Sequence, residues 1–511
     1  MLKWGNRINE QALQYMEHPQ EAAAASAGAP FGSIALKLLL GLALARLLYQ
    51  AINLALPVLP RKPHGRFLLM AWTANLILSA LILRGGTGAV PLNQSSVAYS
   101  NETRLNILAV NPLWNLGYYL SNGTRKLDYS PYLCCDSAAE KAAFHWAYPS
   151  DTMQFNVLNK VNPNVLLIVL ESFTAQASRY FGGELNLTPQ LDAIASESFA
   201  FTRMYANGDR TDKGLASLLS GWHPQSWHSI LHEPEKAARL PSLPAALEKI
   251  GYRSIFHYGG DSRFADMKAW LLAIGISRIE DVAVYPQSMQ NSKWGAHDEY
   301  LLQRLAGQLA TYRQPWFCTA LTLSSHEPFE IPGRAASGDE VMRFRASIAY
   351  TDSCLGAWWN RIKKEAWFSN TLVIITADHG RAIGLQLPHH FHPNLYRIPL
   401  VMGGGALDTH LKGLKNARVL SQAHLAPNLL NILHTTGRSA MPYVNWFGNG
   451  KSMAMYAFQD GIGWIGDSAM AIWENKPWRR TLLTGKMPEV EEAEAHIRAY
   501  QQAWINIFRR L

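Results

Sequence analysis

NVLLIVLES, residues 164–172, is six apolar residues in a row closed by a carboxylate and a hydroxyl. A short run of that kind, without the alternation of a half-wet strand, reads as a strand buried on both faces of a sheet. The same texture returns at 254–257, 316–323, 372–376 and 398–402, with helical patterns between. One helix opens at Thr188-Pro189, a capping residue followed by a first-turn proline, and another covers 343–364. Residues 488–510 close the chain as a helix with acids first and bases last, the order its dipole favours. Strands alternating with helices predict an α/β fold on a mostly parallel sheet flanked by helices.

Each strand runs into chemistry. The first ends at Glu171, the second at His257 before Tyr258-Gly259-Gly260-Asp261, the third at Ser324-Ser325-His326, and the fourth at Asp378-His379-Gly380. Ligands of open parallel sheets bind beyond the carboxyl ends of strands, so these residues are expected on one rim. A fifth stretch belongs with them: ANGDRTDKGLASLLSG, residues 206–221, in which Asn207-Gly208 signals a turn and Leu215, Leu218 and Leu219 recur at helical spacing. That places Thr211 at the start of a helix, where free N–H groups and the dipole suit an alkoxide or a phosphate. The plainer alternative is that Thr211 only caps the helix. Glu171, Asp378, His379 and Thr211 supply two carboxylates, an imidazole and a hydroxyl, a four-ligand set for Zn²⁺ or Mn²⁺. Held there, the threonine hydroxyl becomes a nucleophile. His389, His390 and His392 read either as a second metal site or, more simply, as a solvated loop.

Charge and hydropathy set the compartment. The formal net charge is +9, which suits an anionic membrane surface or nucleic acid. No Lys/Arg run with interleaved aromatics appears, which argues against a nucleic-acid partner. Cys134, Cys135, Cys318 and Cys354 have no metal-ligand spacing and indicate no disulfide framework. Residues 33–57 and 67–84 are apolar enough to be two transmembrane helices, the first carrying Lys37 and Arg46. Arg61, Lys62 and Arg66 in the link between them mark it as cytoplasmic and put the rest of the chain outside. An outside N-terminus without a signal-peptide pattern suggests that further membrane helices precede these. The expected organisation is a membrane region over 1–84, a juxtamembrane linker over 85–160 holding a short helix near 111–120, and a catalytic domain over 161–511.

Six motifs in order, NVLLIVLES, NGDRTDKGLASLLSG, FHYGGDS, WGAHDEY, LSSHEPF and IITADHG, resemble the lipoteichoic acid synthase family. These are membrane-anchored phosphoglycerol transferases of the alkaline phosphatase and sulfatase superfamily, and the two apolar helices look like the last two of the family's five. The resemblance implies that Thr211 attacks phosphatidylglycerol, releases diacylglycerol and passes glycerol phosphate to a glycan or glycolipid acceptor. Glu171, Thr211, Asp378 and His379 correspond to ligands of a divalent metal, commonly Mn²⁺, with Zn²⁺ or Mg²⁺ as alternatives. His326 corresponds to a histidine that contacts the phosphoglycerol, Trp294 and Asp298 to residues bordering the site, and His257, Asp261 and Arg263 are expected around the substrate. The implied location is a bacterial inner (cell) membrane, multi-pass, with the catalytic domain periplasmic or extracellular. The family's Trp-Asn-Arg clamp is replaced by Ala265-Asp266-Met267, for which Arg263 is the available stand-in. Phosphoethanolamine transfer and phosphodiester hydrolysis are the alternative activities. The sulfatase Cys/Ser-x-Pro-x-Arg signature is absent, and a non-catalytic membrane scaffold would not keep all four ligands.

Overall fold

The computed structural model describes residues 31–55, 65–122, 129–149, 155–333, 338–384, 391–433 and 442–511. They form two compact units, Met1–Leu92 with Ile107–Leu127 and Asn93–Asn106 with Asp128–Leu511. The expected linker is therefore divided between the two.

In the first unit, helix α1 (Phe31–Ala55) and helix α2 (Gly65–Arg84) carry leucine and isoleucine on every side. None of α2 is buried, and a helix apolar all round needs lipid or protein around it. Two membrane spans were expected; among the described residues only α2 is long and apolar enough. The apolar part of α1 that qualifies, Leu39–Ala51, is shorter than a bilayer crossing requires and contains Arg46. The short helix expected near 111–120 is present as Pro112–Asn122. Arg61 and Lys62, in the link expected to be cytoplasmic, lie outside the described residues.

The second unit is built on a nine-stranded sheet. Its strands are β1 (Asn164–Leu170), β2 (Phe199–Tyr205), β3 (Arg253–Tyr258), β4 (Arg278–Glu280), β5 (Trp316–Leu321), β6 (Thr371–Ala377), β7 (Arg397–Gly403), β8 (Lys415–Asn416) and β9 (Leu420–Ser421). The order is β4-β3-β5-β1-β6-β7-β2-β8, with β9 also on β2. All five expected strands are there. β1 lies at the middle, parallel to β5 on one side and β6 on the other, with every residue buried. Burying its six aliphatic side chains contributes on the order of 10 kcal/mol before chain entropy is counted.

The sheet is mixed, because β7 pairs antiparallel with both β6 and β2. Two reversals cancel, so β2 runs in the same direction as β1 and β6. The carboxyl end of β2 therefore reaches the same rim as theirs, and the turn that follows β2 delivers Thr211 there. β2 itself escapes sequence reading: FAFTRMY mixes apolar and polar residues, and two of its seven positions are only half-buried.

Helices cover the sheet. Pro189–Ser196 opens at Thr188 as expected, but the threonine hydroxyl does not cap it. The buried Asp352, on the helix Glu340–Ile362, accepts from the backbone N–H of Gln190 (2.9 Å) and Leu191 (2.8 Å) instead. Beyond the large sheet, β10 (Ala454–Phe458), β11 (Gly461–Ile465), β12 (Ala469–Asn475) and β13 (Trp478–Gly485) form a four-stranded antiparallel sheet. The closing helix, Met487–Arg510, packs against Ser137–Ala147, where Gln502 donates to Glu140 at 2.6 Å and to the Cys135 carbonyl at 2.7 Å. All four cysteines are free.

Candidate active site

At the carboxyl end of β1 the chain turns sharply, and Ser172 takes a left-handed backbone at φ 54°. That conformation costs a non-glycine residue roughly 1–2 kcal/mol. It brings the Ser172 N–H to Asp378 Oδ1 at 2.8 Å and its hydroxyl to Glu171 Oε1 at 2.8 Å. Thr322 and Ser325, just beyond β5, hold the Glu171 backbone: its N–H donates to Thr322 Oγ1 at 2.8 Å, and the Ser325 hydroxyl donates to its carbonyl at 2.6 Å. The β1, β5 and β6 ends are thus laced together.

Thr211 is the first residue of the helix Thr211–Ser220, and Arg210 occupies the capping position without a side-chain bond. The cap reading of Thr211 fails, because its hydroxyl donates to Glu171 Oε2 at 3.1 Å. Gly214 lets this helix come so close: a Cβ there would lie 2.1 Å from the Asp378 carbonyl oxygen. The preceding turn is equally tight, since a Cβ on Gly208 would meet Lys213 Cβ at 2.5 Å. Lys213 is itself buried and paired with Asp209 at 2.9 Å.

Glu171, Asp378 and His379 converge, each offering one ligand atom within 4.8 Å of the others. His379 Nε2 lies 3.8 Å from Glu171 Oε1 and 3.6 Å from Asp378 Oδ2. The other ring nitrogen, Nδ1, sits 3.0 Å from the Gly380 carbonyl, which assigns it the proton and leaves the Nε2 lone pair facing the carboxylates. Asp378 Oδ2 is buried and has no hydrogen-bond partner among the described residues. An orphaned carboxylate oxygen beside an imidazole nitrogen that has only a long 3.4 Å contact with the Ser172 hydroxyl fits a divalent cation. Electrostatics agree. Burial, together with the charge of Glu171, pushes Asp378 up to about 7. Burial also works to raise Glu171, but His379, His326 and the Ser172 hydroxyl outweigh it and hold that carboxyl below its usual range. His379 is raised against its burial by Asp378 and Glu171.

His326 follows Ser325 and acts electrostatically on Glu171. Its ring meets Trp294 edge-on at 4.7 Å, and Phe264 meets Trp294 at 5.1 Å, forming a partly exposed aromatic wall. Arg263 is held by Asp261, with Nε 2.9 Å from Oδ1 and Nη2 2.6 Å from Oδ2. At the clamp position Ala265 and Asp266 are both left-handed (φ 50° and 59°), and Asp266 Oδ2 binds His232 Nδ1 at 3.2 Å. His232 Nε2 in turn lies 3.8 Å from Asp212, the neighbour of Thr211.

Two expected substrate residues have other engagements. His257 is fully buried, with Nε2 2.9 Å from the Tyr312 hydroxyl and Nδ1 3.7 Å from Glu280; burial drives it down to about 4. Asp298 is equally buried and accepts from Leu323 N at 2.7 Å, Ser324 N at 3.1 Å and the Thr351 hydroxyl at 2.6 Å. It shapes the turn that carries His326, and its own carboxylate is spent on that turn. His392 Nδ1 accepts from Asn394 N at 3.2 Å, while His389 and His390 lie outside the described residues. Ser172 is drawn into the site by its bonds to Asp378 and Glu171, and the buried Gln422 donates to the Asp378 carbonyl at 2.7 Å. Neither was expected among the site residues, and neither is a residue type that marks chemistry by itself.

With this geometry in view, residues 163–435 match the sulfatase family model. Lipoteichoic acid synthase 2 of Bacillus subtilis is 22% identical over 294 residues, which are 53% of this chain and 44% of that protein. Phosphoglycerol transferase I of Escherichia fergusonii is 24% identical over 239 residues, 43% of this chain and 31% of that one. The chain thus spans less than half the length of these relatives. Among solved structures, an alkaline phosphatase superfamily protein from Vibrio parahaemolyticus aligns with a TM-score of 0.62 at 21% identity, over 74% of this chain and 98% of that one. The lipoteichoic acid synthase LtaP from Listeria monocytogenes aligns with a TM-score of 0.59 at 16% identity, over 73% and 98%. Both likenesses establish the fold.

Proposed function

The chain belongs to the sulfatase family, an enzyme family of the alkaline phosphatase superfamily, and from that premise we propose that it is a membrane-anchored, metal-dependent phosphoglycerol transferase. Its donor is phosphatidylglycerol, its acceptor an extracytoplasmic glycan or glycolipid, and its covalent intermediate a glycerophosphoryl-threonine at Thr211. The catalytic domain faces the periplasm or exterior. One observation carries the reading: a helix-terminal threonine hydroxyl donates at 3.1 Å to a carboxylate that shares a buried cluster with Asp378 and His379. The relatives named as lipoteichoic acid synthase and phosphoglycerol transferase support it.

In the first half-reaction Thr211 Oγ bonds to the donor phosphorus and the bond from phosphorus to the diacylglycerol oxygen breaks. Glu171 Oε2 is the atom within reach of the threonine proton, and diacylglycerol leaves carrying a proton. In the second half an acceptor hydroxyl oxygen bonds to phosphorus, the bond from phosphorus to Thr211 Oγ breaks, and the proton lost by the acceptor restores the threonine hydroxyl. A divalent cation held by Glu171, Asp378, His379 and Thr211, Mn²⁺ being the reading preferred here, would acidify the hydroxyl and draw charge from the phosphoryl oxygens. The N-terminus of Thr211–Ser220 adds its free N–H groups to the same charge. His326, Trp294, Asp261 and Arg263 border the head group in this reading.

Mass spectrometry of the full chain in phosphatidylglycerol micelles with Mn²⁺ tests it. A glycerophosphoryl adduct on Thr211, absent in Thr211→Ala, is the expected result; wild-type turnover by Thr211→Ala would end the covalent mechanism. The alternative donor is a phosphoethanolamine lipid. What favours it is that Arg263, two residues before the replaced clamp, is already occupied by Asp261. A phosphoethanolamine adduct from mixed lipids would establish it.

A further inference from the structure

Thr211 and Asp378 come from strands that are not neighbours, since β7 lies between β2 and β6. The sheet ladder links them only indirectly, through β7, so a direct connection at the rim bears on their separation. Gln422, 1% exposed, spans the gap. Its amide nitrogen donates to the Ala377 carbonyl at 2.8 Å and to the Asp378 carbonyl at 2.7 Å. Its amide oxygen accepts from the Asn207 N–H at 3.3 Å, at the head of the turn that delivers Thr211.

Asn207 is fastened just as fully. Its side-chain nitrogen donates to the Ser421 hydroxyl at 2.7 Å and to the Met455 carbonyl at 2.7 Å, and its side-chain oxygen accepts from Ala423 N at 2.8 Å. The Asn207 carbonyl accepts from Ala457 N at 2.8 Å. Met455 and Ala457 belong to β10, in the sheet that lies beyond the matched family region. Both amides thus have donor and acceptor engaged, and the contacts run unbroken from β10 through the nucleophile turn to the metal-ligand turn.

We propose that Asn207 and Gln422 are positioning residues: an amide brace, anchored on the C-terminal four-stranded sheet, that sets the distance between the Thr211 nucleophile and the Asp378-His379 ligand pair. The proposal rests on the active-site reading above. It makes the C-terminal sheet part of the catalytic apparatus although that sheet contributes no side chain to the cluster. The brace acts on a distance between reacting groups, so its loss appears in kcat and in metal affinity more than in donor KM. A displacement of about 1 Å at such a site costs on the order of 100-fold in rate.

The test uses the full chain carrying Gln422→Met, which keeps side-chain volume and removes both amide functions, and Asn207→Asp, which keeps the acceptor and removes the donor. Three quantities are measured: melting temperature, Mn²⁺ affinity by chelator competition, and kcat and KM for diacylglycerol release from phosphatidylglycerol micelles. A folded variant with kcat lowered about 100-fold, weaker Mn²⁺ binding and nearly unchanged KM is expected. A folded variant with wild-type kcat and Mn²⁺ affinity overturns the brace. Failure of both variants to fold would make these residues stability elements and overturn it equally. An inactive wild-type protein would instead count against the phosphotransfer reading, and the Mn²⁺ titration, which needs no lipid, would still judge the brace.

Discussion

Gly214→Ala puts one methyl group where the helix Thr211–Ser220 crosses the Asp378-His379 turn. The added Cβ would stand 2.1 Å from the Asp378 carbonyl oxygen, 2.7 Å from its carbonyl carbon and 3.0 Å from its Cα. All three are backbone atoms, so no flexible side chain can yield. Ordinary contact begins near 3.4 Å, which leaves roughly 1.3 Å to be found by moving the helix or the turn. Either movement separates Thr211 from Asp378 and His379. Alanine gains about 1 kcal/mol over glycine in a helix, against about 1–3 kcal/mol for overpacking. The net loss of stability is therefore small, about 2 kcal/mol at most, and melting falls by a few degrees. Catalysis suffers more: a shift of this size costs on the order of 100-fold, equivalent to about 2.7 kcal/mol in the barrier. Diacylglycerol release and thermal melting, measured on the same preparation, separate the two effects. A folded Gly214→Ala protein with wild-type kcat would refute the claim that the active-site geometry needs this close approach.

Metal affinity should fall with pH. Asp378, pushed up to about 7 by burial and by Glu171, and His379, raised by the two carboxylates, must both lose protons to bind a cation. Affinity then drops by about tenfold per pH unit below about 7 for the Asp378 proton, and more steeply where His379 is protonated as well, a slope that chelator competition measures; a flat profile would place the metal elsewhere. Without metal, the Asp378 contribution to stability has the opposite sign from an ordinary paired carboxylate. Its folded pKa lies above its unfolded one, so stability declines as pH rises from about 4 to about 7. Asp352→Ala should leave the Gln190 and Leu191 N–H groups without their acceptor and cost about 1–3 kcal/mol. That is a melting decrease of roughly 2–10 °C, and an unchanged melting temperature would mean that the helix Pro189–Ser196 finds another cap.

Much of this protein is readable along the chain, because burial on both faces is a local demand. The runs at β1, β3, β5, β6 and β7 announce themselves by composition, and the parallel α/β rule sends Glu171, His326, Asp378 and His379 to one rim without any knowledge of the partners. The Asn207-Gly208 turn and the leucines after it do the same for Thr211. What needed tertiary structure is whatever depends on a residue far away in sequence. Strand direction is one case: β7 is as apolar as its neighbours yet runs antiparallel to both β6 and β2, and β2 is too mixed in composition to be seen. Side-chain facing is another: His257 ends a strand like its counterparts but is claimed by Tyr312 and Glu280, and Asp298 is claimed by the backbone of the turn it supports. The brace is the last, since a glutamine and an asparagine 215 positions apart carry no mark of their joint role until the fold brings them together. Composition and period dictate which segments must be buried and which chemistry lies at their ends. Only long-range packing, which decides where each polar group finds its partner, selects the groups that meet.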